Sequence, residues 1–187
     1  ARNAYLEELE RHTDWTGESL VTDKLPLNLL KAPLIHQVFP RAKFVLALRH
    51  PLDCILSCWM QTFKLNTAMA NMVDLDRIVD FYCVAMDTFQ RSQQRDGLDI
   101  YRSRYEDLIE DFEAETTSIL RFLGLEWEPE LGDYQATALS RRHINTPSRS
   151  QVIKPIYKTA SYRWKHYESH LEKYKSKLAP WLEEYGY

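Results

Sequence analysis

The sequence predicts an α/β domain in which helices flank a parallel sheet. Three observations carry that prediction. Phe44 to Leu48 is apolar at every position rather than alternating, which suits a strand covered on both faces, as central strands of parallel sheets are. Helical patterns separate the strand-like runs, so the order is strand, helix, strand, helix, and that alternation implies right-handed crossovers between parallel strands. The composition, 44% hydrophobic and 27% charged over 187 residues, supplies the core of one soluble globular domain.

Taken in order, a short strand is expected at residues 19–22, followed by Asp23, Lys24 and Pro26. An amphipathic helix then places Leu27, Leu30, Leu34, Ile35 and Val38 on one side, and Pro33 within it should kink or split it. Pro40 ends this helix, the Phe44 to Leu48 strand follows, and Arg49 is the first polar side chain beyond that strand. Pro51 suits the first turn of the next helix, expected to run to about Phe63, where its missing N–H costs nothing. Asp53, Ser57 and Gln61 recur along one face of that helix at a spacing of four.

Beyond a polar, Met-containing connection, Leu75, Ile78, Val79, Tyr82, Met86 and Phe89 recur at helical spacing. They predict a long core helix whose aromatic residues pack rather than hold a cofactor. Gly97 introduces a third short strand at residues 98–101, with Tyr105 past its carboxyl end. Phe112, Thr116, Ile119, Leu120 and Leu123 mark another helix, stopped by Gly124 as its C′ residue. Residues 146–155 read as an ordered loop rich in hydroxyls and cations, the components of a phosphate nest, and a helix begins near Ser161.

Charge and cysteine content narrow the function classes. Cys54, Cys58 and Cys83 are three, an odd number without metal-ligand spacing, so they read as buried free thiols of a reducing, cytoplasmic compartment. No run of eighteen apolar residues is present and the first residues are charged and amphipathic, so neither a membrane span nor a signal peptide is expected. A net charge of -3 argues against wholesale coating of a polyanion, although residues 141–177 are basic and interleave Tyr157, Tyr162, Trp164 and Tyr167 with cations. Such interleaving is also what a single-stranded nucleic acid platform looks like. The acidic stretch at residues 96–133 and the overall charge weigh against that, and no nucleic acid partner is expected.

Ligands of open parallel sheets bind beyond the carboxyl ends of the strands. Lys24, Arg49 and Tyr105 each follow an expected strand end, so three polar groups distant in sequence should line one crevice. Arg49 and Ser57 are suited to grip one phosphate, a guanidinium at a strand end and a hydroxyl two turns into the helix. A blander role is open to the same residues: Arg49 caps the strand and pairs with Asp53. The convergence of Lys24 and Tyr105 on the same edge favours the anion site.

Four segments in order carry a family resemblance. They are Asp23-Lys24-Leu25-Pro26; Leu48-Arg49-His50-Pro51-Leu52-Asp53 with Ser57; Arg104-Tyr105-Glu106-Asp107-Leu108 with Phe122-Leu123-Gly124-Leu125; and the stretch from Ser148 to Tyr157 with Arg163-Trp164. Together they resemble the carboxyl-terminal part of sulfotransferases, and look closest to bacterial tetratricopeptide-repeat sulfotransferases and tyrosylprotein sulfotransferases. The resemblance implies a P-loop-like parallel sheet, the sulfotransferase fold, with residues 1–187 as the C-terminal portion of a single domain. It implies the donor 3'-phosphoadenosine 5'-phosphosulfate, no metal, and a hydroxyl-bearing acceptor: protein tyrosine, carbohydrate or a small molecule.

By the same resemblance Arg49 and Ser57 hold the 3'-phosphate, and Tyr105 contacts the nucleotide. Ser148, Gln151, Val152, Tyr157 and Arg163 make further donor contacts, while Lys24 and Ser148 stabilise the transition state. Arg163 stands where a close relative has lysine, which keeps the charge and changes its geometry. One departure is large. The family's Gly-x-Pro-Arg-Ser-Gly-Thr-Thr type of loop, which holds the 5'-phosphosulfate, has no counterpart here, and Gly17, Gly97, Gly124, Gly132 and Gly186 are all isolated. The usual general base is also unmatched; among the histidines only His143, beside the basic loop, is a candidate. The expectation is therefore a segment of an active enzyme, with the loop and helical repeats upstream, inactive in isolation. The alternative is a non-catalytic nucleotide-binding or protein-interaction domain derived from the same fold, against which Lys24 and Ser148 speak because they serve transfer rather than adenosine binding.

Overall fold

A computed structural model describes residues 1–63, 66–133 and 160–187. The described residues form two compact units: Ala1–Phe44 with Asp87–Ile100, and Val45–Met86 with Tyr101–Tyr187.

In the first unit, helix α1 (Arg2–His12) precedes an irregular segment and a 3-10 helix, Pro26–Lys31, which passes directly into α2 (Ala32–Val38). Pro33 lies in the first turn of α2, so the proline splits the expected amphipathic helix where an interior proline would have removed a hydrogen bond. The expected strand at residues 19–22 is absent. Leu20 is more than half exposed and the Ser19 carbonyl accepts from the Trp15 indole at 2.9 Å, so this stretch is held by a side chain and has no ladder partner among the described residues. A β-prone tetrapeptide becomes a strand only where a neighbouring strand takes its N–H and C=O groups.

The second unit is organised around strands β1 (Phe44–Leu48) and β2 (Ile100–Arg104), whose first residues belong to the other unit. They form a small parallel pair, and the chain between them passes through α3 (Pro51–Trp59) and α4 (Leu75–Asp96). β1 does not have both faces covered. Leu48 is buried while Val45 and Ala47 are exposed, so an all-apolar run is here a half-covered strand. Period-two alternation appears in its burial and not in its residue types.

β2 begins two residues later than expected and continues through Arg102 and Arg104. Those charges suit a strand because their heads find partners: the Arg102 guanidinium sits 5.4 Å from the Tyr185 ring centre and pairs with Glu184 at 2.8 Å, and the Arg104 guanidinium sits 4.4 Å over Tyr187. Long cationic side chains can cover apolar surface while keeping the head hydrated or paired. α3 ends at Trp59, short of Phe63, where the Met60 N–H donates to the Leu56 carbonyl and the Gln61 N–H tightens the last turn onto the Cys58 carbonyl.

After β2 come α5 (Tyr105–Glu110) and α6 (Phe112–Leu123). Asp111 caps α6 by accepting from Ala114 N at 3.0 Å, and Gly124 closes it at φ 81, the left-handed C′ position that glycine fills without a Cβ clash. The C-terminal part is a 3-10 helix, Arg163–Tyr167, followed by α7 (Glu168–Glu184). The α-helix thus starts seven residues after Ser161.

α7 supplies much of the core of this unit. Leu171, Tyr174, Leu178 and Trp181 recur at intervals of three or four and are all buried, a stripe on one helical face. The helix lies along the first part of α4: Tyr174 donates to Asp76 Oδ1 at 2.9 Å, Lys173 pairs with the same carboxylate at 3.1 Å, and Lys177 pairs with Asp80. Ile55 and Leu56 of α3 and Ile78 and Val79 of α4 complete the apolar interior. Cys54, Cys58 and Cys83 are free thiols, half-buried rather than fully buried.

Candidate functional site

The site is best built from Arg49, because the strand, the helix and the C-terminal segment all converge there. β1 ends at Leu48, so Arg49 leaves the sheet at its carboxyl edge; β2 ends at Arg104, so Tyr105 leaves at the same edge and opens α5. The two side chains meet, with the Arg49 guanidinium carbon 5.1 Å from the centre of the Tyr105 ring. The stacking orients the guanidinium, and the ring face is electrostatically attractive to it.

Arg49 forms a long ion pair with Asp53 and keeps donor capacity beyond it. Its Nη2 donates to the Ala160 carbonyl and lies 4.0 Å from Asp53 Oδ2, beyond hydrogen-bond range. Its Nε is buried and has no hydrogen-bond partner among the described residues. A half-buried guanidinium with an unused, buried N–H is a site that an anion satisfies. The simpler reading, in which Arg49 pairs with Asp53, is present as a 4.0 Å ion pair; the pair leaves the Nε donor unused among the described residues.

α3 is the second wall. Asp53 in its first turn is buried, with Oδ1 accepting from Trp164 N at 2.8 Å. Ser57 stands one turn further along and is half-buried. At the C-terminal end of α3, Arg163 donates to the Met60 thioether. Residues 160–164 are therefore pinned along α3 at Arg49, Asp53 and Met60. Tyr162 adopts φ 55, a backbone conformation that non-glycine residues rarely take and that marks a segment held by its surroundings. Burial pushes the Asp53 carboxyl up, while the Trp164 N–H and Arg49 pull it down.

Behind this wall lies a buried polar cluster that the sequence did not disclose. The Glu106 carboxylate accepts from His50 N at 3.0 Å and from the Tyr187 hydroxyl at 2.9 Å. His50 caps α3, its Nδ1 accepting from Leu52 N at 3.3 Å, and its ring is stacked on Trp164 with centroids 4.9 Å apart and edge-on to Tyr162 and Tyr187. Burial holds the His50 pKa down to about 4, although Glu106 works in the opposite direction. His50 is thus a neutral cap and packing residue. Burial, together with its bond to Glu106, also raises the Tyr187 pKa. The thiols of Cys54 and Cys58, one turn apart on α3, share a hydrogen bond that lowers Cys58 and raises Cys54.

Of the predicted site residues, the structure brings together Arg49 and Tyr105 directly, with Ser57 and Arg163 along the same helix. Lys24 belongs to the first unit, where it is exposed. Its neighbour Asp23 is bracketed by the Tyr5 hydroxyl and the Asn28 amide, each at 3.3 Å, which fixes the turn that carries the lysine. Ser148, Gln151, Val152, Tyr157 and His143 lie outside the described residues. A surface hollow of about 410 Å³ against Thr117, Arg121, Gly124 and Trp127 contains none of the predicted site residues. Among the described residues no three His, Cys, Asp or Glu side chains are grouped to hold a metal, and no helix is long and apolar enough to cross a membrane.

Residues 1–129 match the family described as Sulfotransferase family. The chain belongs to the sulfotransferase family. The matched span of this sulfotransferase chain includes Lys24, Arg49, Ser57 and Tyr105 and ends before Ser148 and Arg163. It is also similar to a protein of Aquifex aeolicus (strain VF5) described as uncharacterized, with 30% identity over 152 residues, 81% of this chain. That stretch is 20% of the relative's own length, so the sulfotransferase chain spans about a fifth of the curated relative it matches.

Proposed function

We propose that this chain forms the 3'-phosphate side of a donor site for 3'-phosphoadenosine 5'-phosphosulfate, in an enzyme that transfers the sulfuryl group to an acceptor hydroxyl. The observation that carries the reading is the half-buried Arg49 guanidinium at the carboxyl edge of the sheet, held over Tyr105 with its buried Nε unpaired among the described residues. Arg49 and Ser57 take the 3'-phosphate, Tyr105 and Arg163 flank the nucleotide, and the loop with Ser148, Gln151, Val152 and Tyr157 wraps the donor.

Lys24 and Ser148 meet the negative charge that builds on the bridging oxygen of the leaving phosphate. Donors aimed at that oxygen lower the barrier because they interact more strongly in the transition state than before it. Residues 1–187 form the C-terminal portion of one sulfotransferase domain. They hold no glycine-rich loop of the kind that grips the 5'-phosphosulfate, so the isolated segment binds one end of the donor and does not catalyse transfer. Protein tyrosine is the acceptor we favour, with helical repeats elsewhere in the full-length protein to present it, because the motifs look closest to those of tyrosylprotein and tetratricopeptide-repeat sulfotransferases.

The test is calorimetric binding of adenosine 3',5'-bisphosphate to the wild type and to Arg49→Ala. Loss of a charge-assisted grip on a phosphate should weaken binding by about tenfold or more. A wild type that does not bind, or binding indifferent to Arg49, sinks the reading.

A further inference from the structure

We propose that Asp53 is a positioning residue for the 3'-phosphate grip, holding the Arg49 guanidinium and the Arg163–Trp164 segment in one arrangement. The inference rests on the assignment of Arg49 to the 3'-phosphate.

Asp53 is an unusual acid. Its side chain is fully buried in the first turn of α3, between Leu52 and residues that build the core. An acid in a helix's first turn ordinarily complements the helix dipole from the surface, and a buried carboxylate is retained at a cost unless its oxygens are used. Here the two oxygens have separate tasks. Oδ1 accepts the Trp164 N–H at 2.8 Å, fixing the backbone of a segment 111 residues away in sequence. Oδ2 has no hydrogen bond among the described residues and faces Arg49 Nη2 at 4.0 Å.

The consequence for Arg49 is an orienting charge that occupies none of its hydrogen-bond donors. Three groups set the guanidinium plane: the Ala160 carbonyl on Nη2, the Tyr105 ring beneath it and the Asp53 charge beside it. Asp53 contributes twice, because the segment that includes the Ala160 carbonyl is itself tied down through Trp164. A direct Asp53–Arg49 hydrogen bond would occupy a donor that a phosphate needs. At 4.0 Å the carboxylate steers the cation and leaves its donors available. Arg163, next to Trp164, is carried against α3 by the same bond. Removing the carboxylate should therefore loosen the phosphate-reading groups in particular, and leave adenosine contacts elsewhere intact.

The experiment compares adenosine 3',5'-bisphosphate with adenosine 5'-monophosphate, which lacks the 3'-phosphate, by calorimetry on the full-length protein and its Arg49→Ala, Asp53→Ala and Asp53→Asn variants, with thermal melts as the fold control. The readout is the affinity ratio of the two nucleotides, which a merely structural defect would leave unchanged because both affinities would fall together. Asp53→Ala should narrow the ratio by about tenfold with little effect on the monophosphate. Asp53→Asn keeps an acceptor for Trp164 and loses the charge, and should narrow it by about threefold. Equal weakening of both nucleotides, or an unchanged ratio in a folded Asp53→Asn protein, overturns the inference while an Arg49→Ala collapse of the ratio leaves the phosphate assignment standing. If Arg49→Ala itself preserves the ratio, the assignment and the inference fall together.

Discussion

His50 offers a stability measurement whose size follows from its surroundings. The imidazole is 6% exposed, enclosed by Trp164, Tyr162 and Tyr187, and its Nδ1 accepts the Leu52 N–H that begins α3. Protonation would place a hydrogen on the atom that caps the helix and a charge in a site where Arg49, Arg104 and Lys165 oppose it and Glu106 favours it. The folded pKa is lowered from 6.5 to about 4, so on acidification the unfolded chain takes up the proton first. The contribution is complete above the unfolded pKa and is lost as pH falls from there towards about 4. At about 1.4 kcal/mol per pH unit the full effect is about 3 kcal/mol, of which about 2 kcal/mol has gone by about pH 5.

The assay is urea unfolding followed by tryptophan fluorescence at about pH 7 and about pH 5, on the wild type and on His50→Asn. Asparagine can still cap the helix and does not titrate in this range. Asp53 works in the opposite sense: its raised pKa is a penalty at neutral pH that acidification relieves. Both proteins carry Asp53, so their difference isolates His50. The wild type should lose about 2 kcal/mol more than His50→Asn over this interval. Equal losses in the two proteins would refute the account of a buried neutral cap.

Other outcomes follow from single contacts. Tyr187→Phe leaves Glu106 Oε2 without its 2.9 Å donor in a buried position and should cost about 1.5–3 kcal/mol in urea unfolding; a change below about 0.5 kcal/mol would mean that the hydroxyl is solvated in solution. Leu178→Ala, at a wholly buried position, should cost about 2–5 kcal/mol, whereas the exposed Leu34→Ala should stay within about 0.5 kcal/mol. Lys24→Ala in the full-length enzyme should lower turnover by about a hundredfold while leaving adenosine 3',5'-bisphosphate affinity within about threefold. A matching loss of affinity would assign Lys24 to ground-state binding.

Local signals in the sequence located most elements. The Phe44 to Leu48 run, the proline that opens α3, the 3.6-residue pattern of α4 and the glycine that closes α6 each act within a few residues, and each appears where the pattern placed it. What depended on distant partners was not legible. The Ser19–Thr22 stretch lacks a ladder partner among the described residues, β2 runs on through two arginines whose guanidinium groups sit over Tyr185 and Tyr187, and β1 leaves Val45 exposed. The site divides in the same way. Arg49 and Tyr105 could be read from strand ends, while the hub of His50, Glu106, Trp164 and Tyr187 could not, since its members come from four separate segments. One clue was available: Asp53 is an acid among Leu52, Ile55 and Leu56 in the first turns of a largely apolar helix.

The pinning of residues 160–164 along α3 also bears on when the phosphate wall can exist during synthesis. Asp53 is joined to Trp164 across 111 residues, Asp76 to Tyr174 across 98 and Glu106 to Tyr187 across 81. Contacts of such separation slow folding, because long loops must close before any of them is made. On the ribosome β1, α3 and α4 emerge well ahead of the strap that orients Arg49, and Glu106 waits for Tyr187 to clear the exit tunnel. Until then the apolar stripe of α4 and the buried acids of α3 and α5 are uncovered together, a window in which a nascent chain is open to chaperones or to self-association.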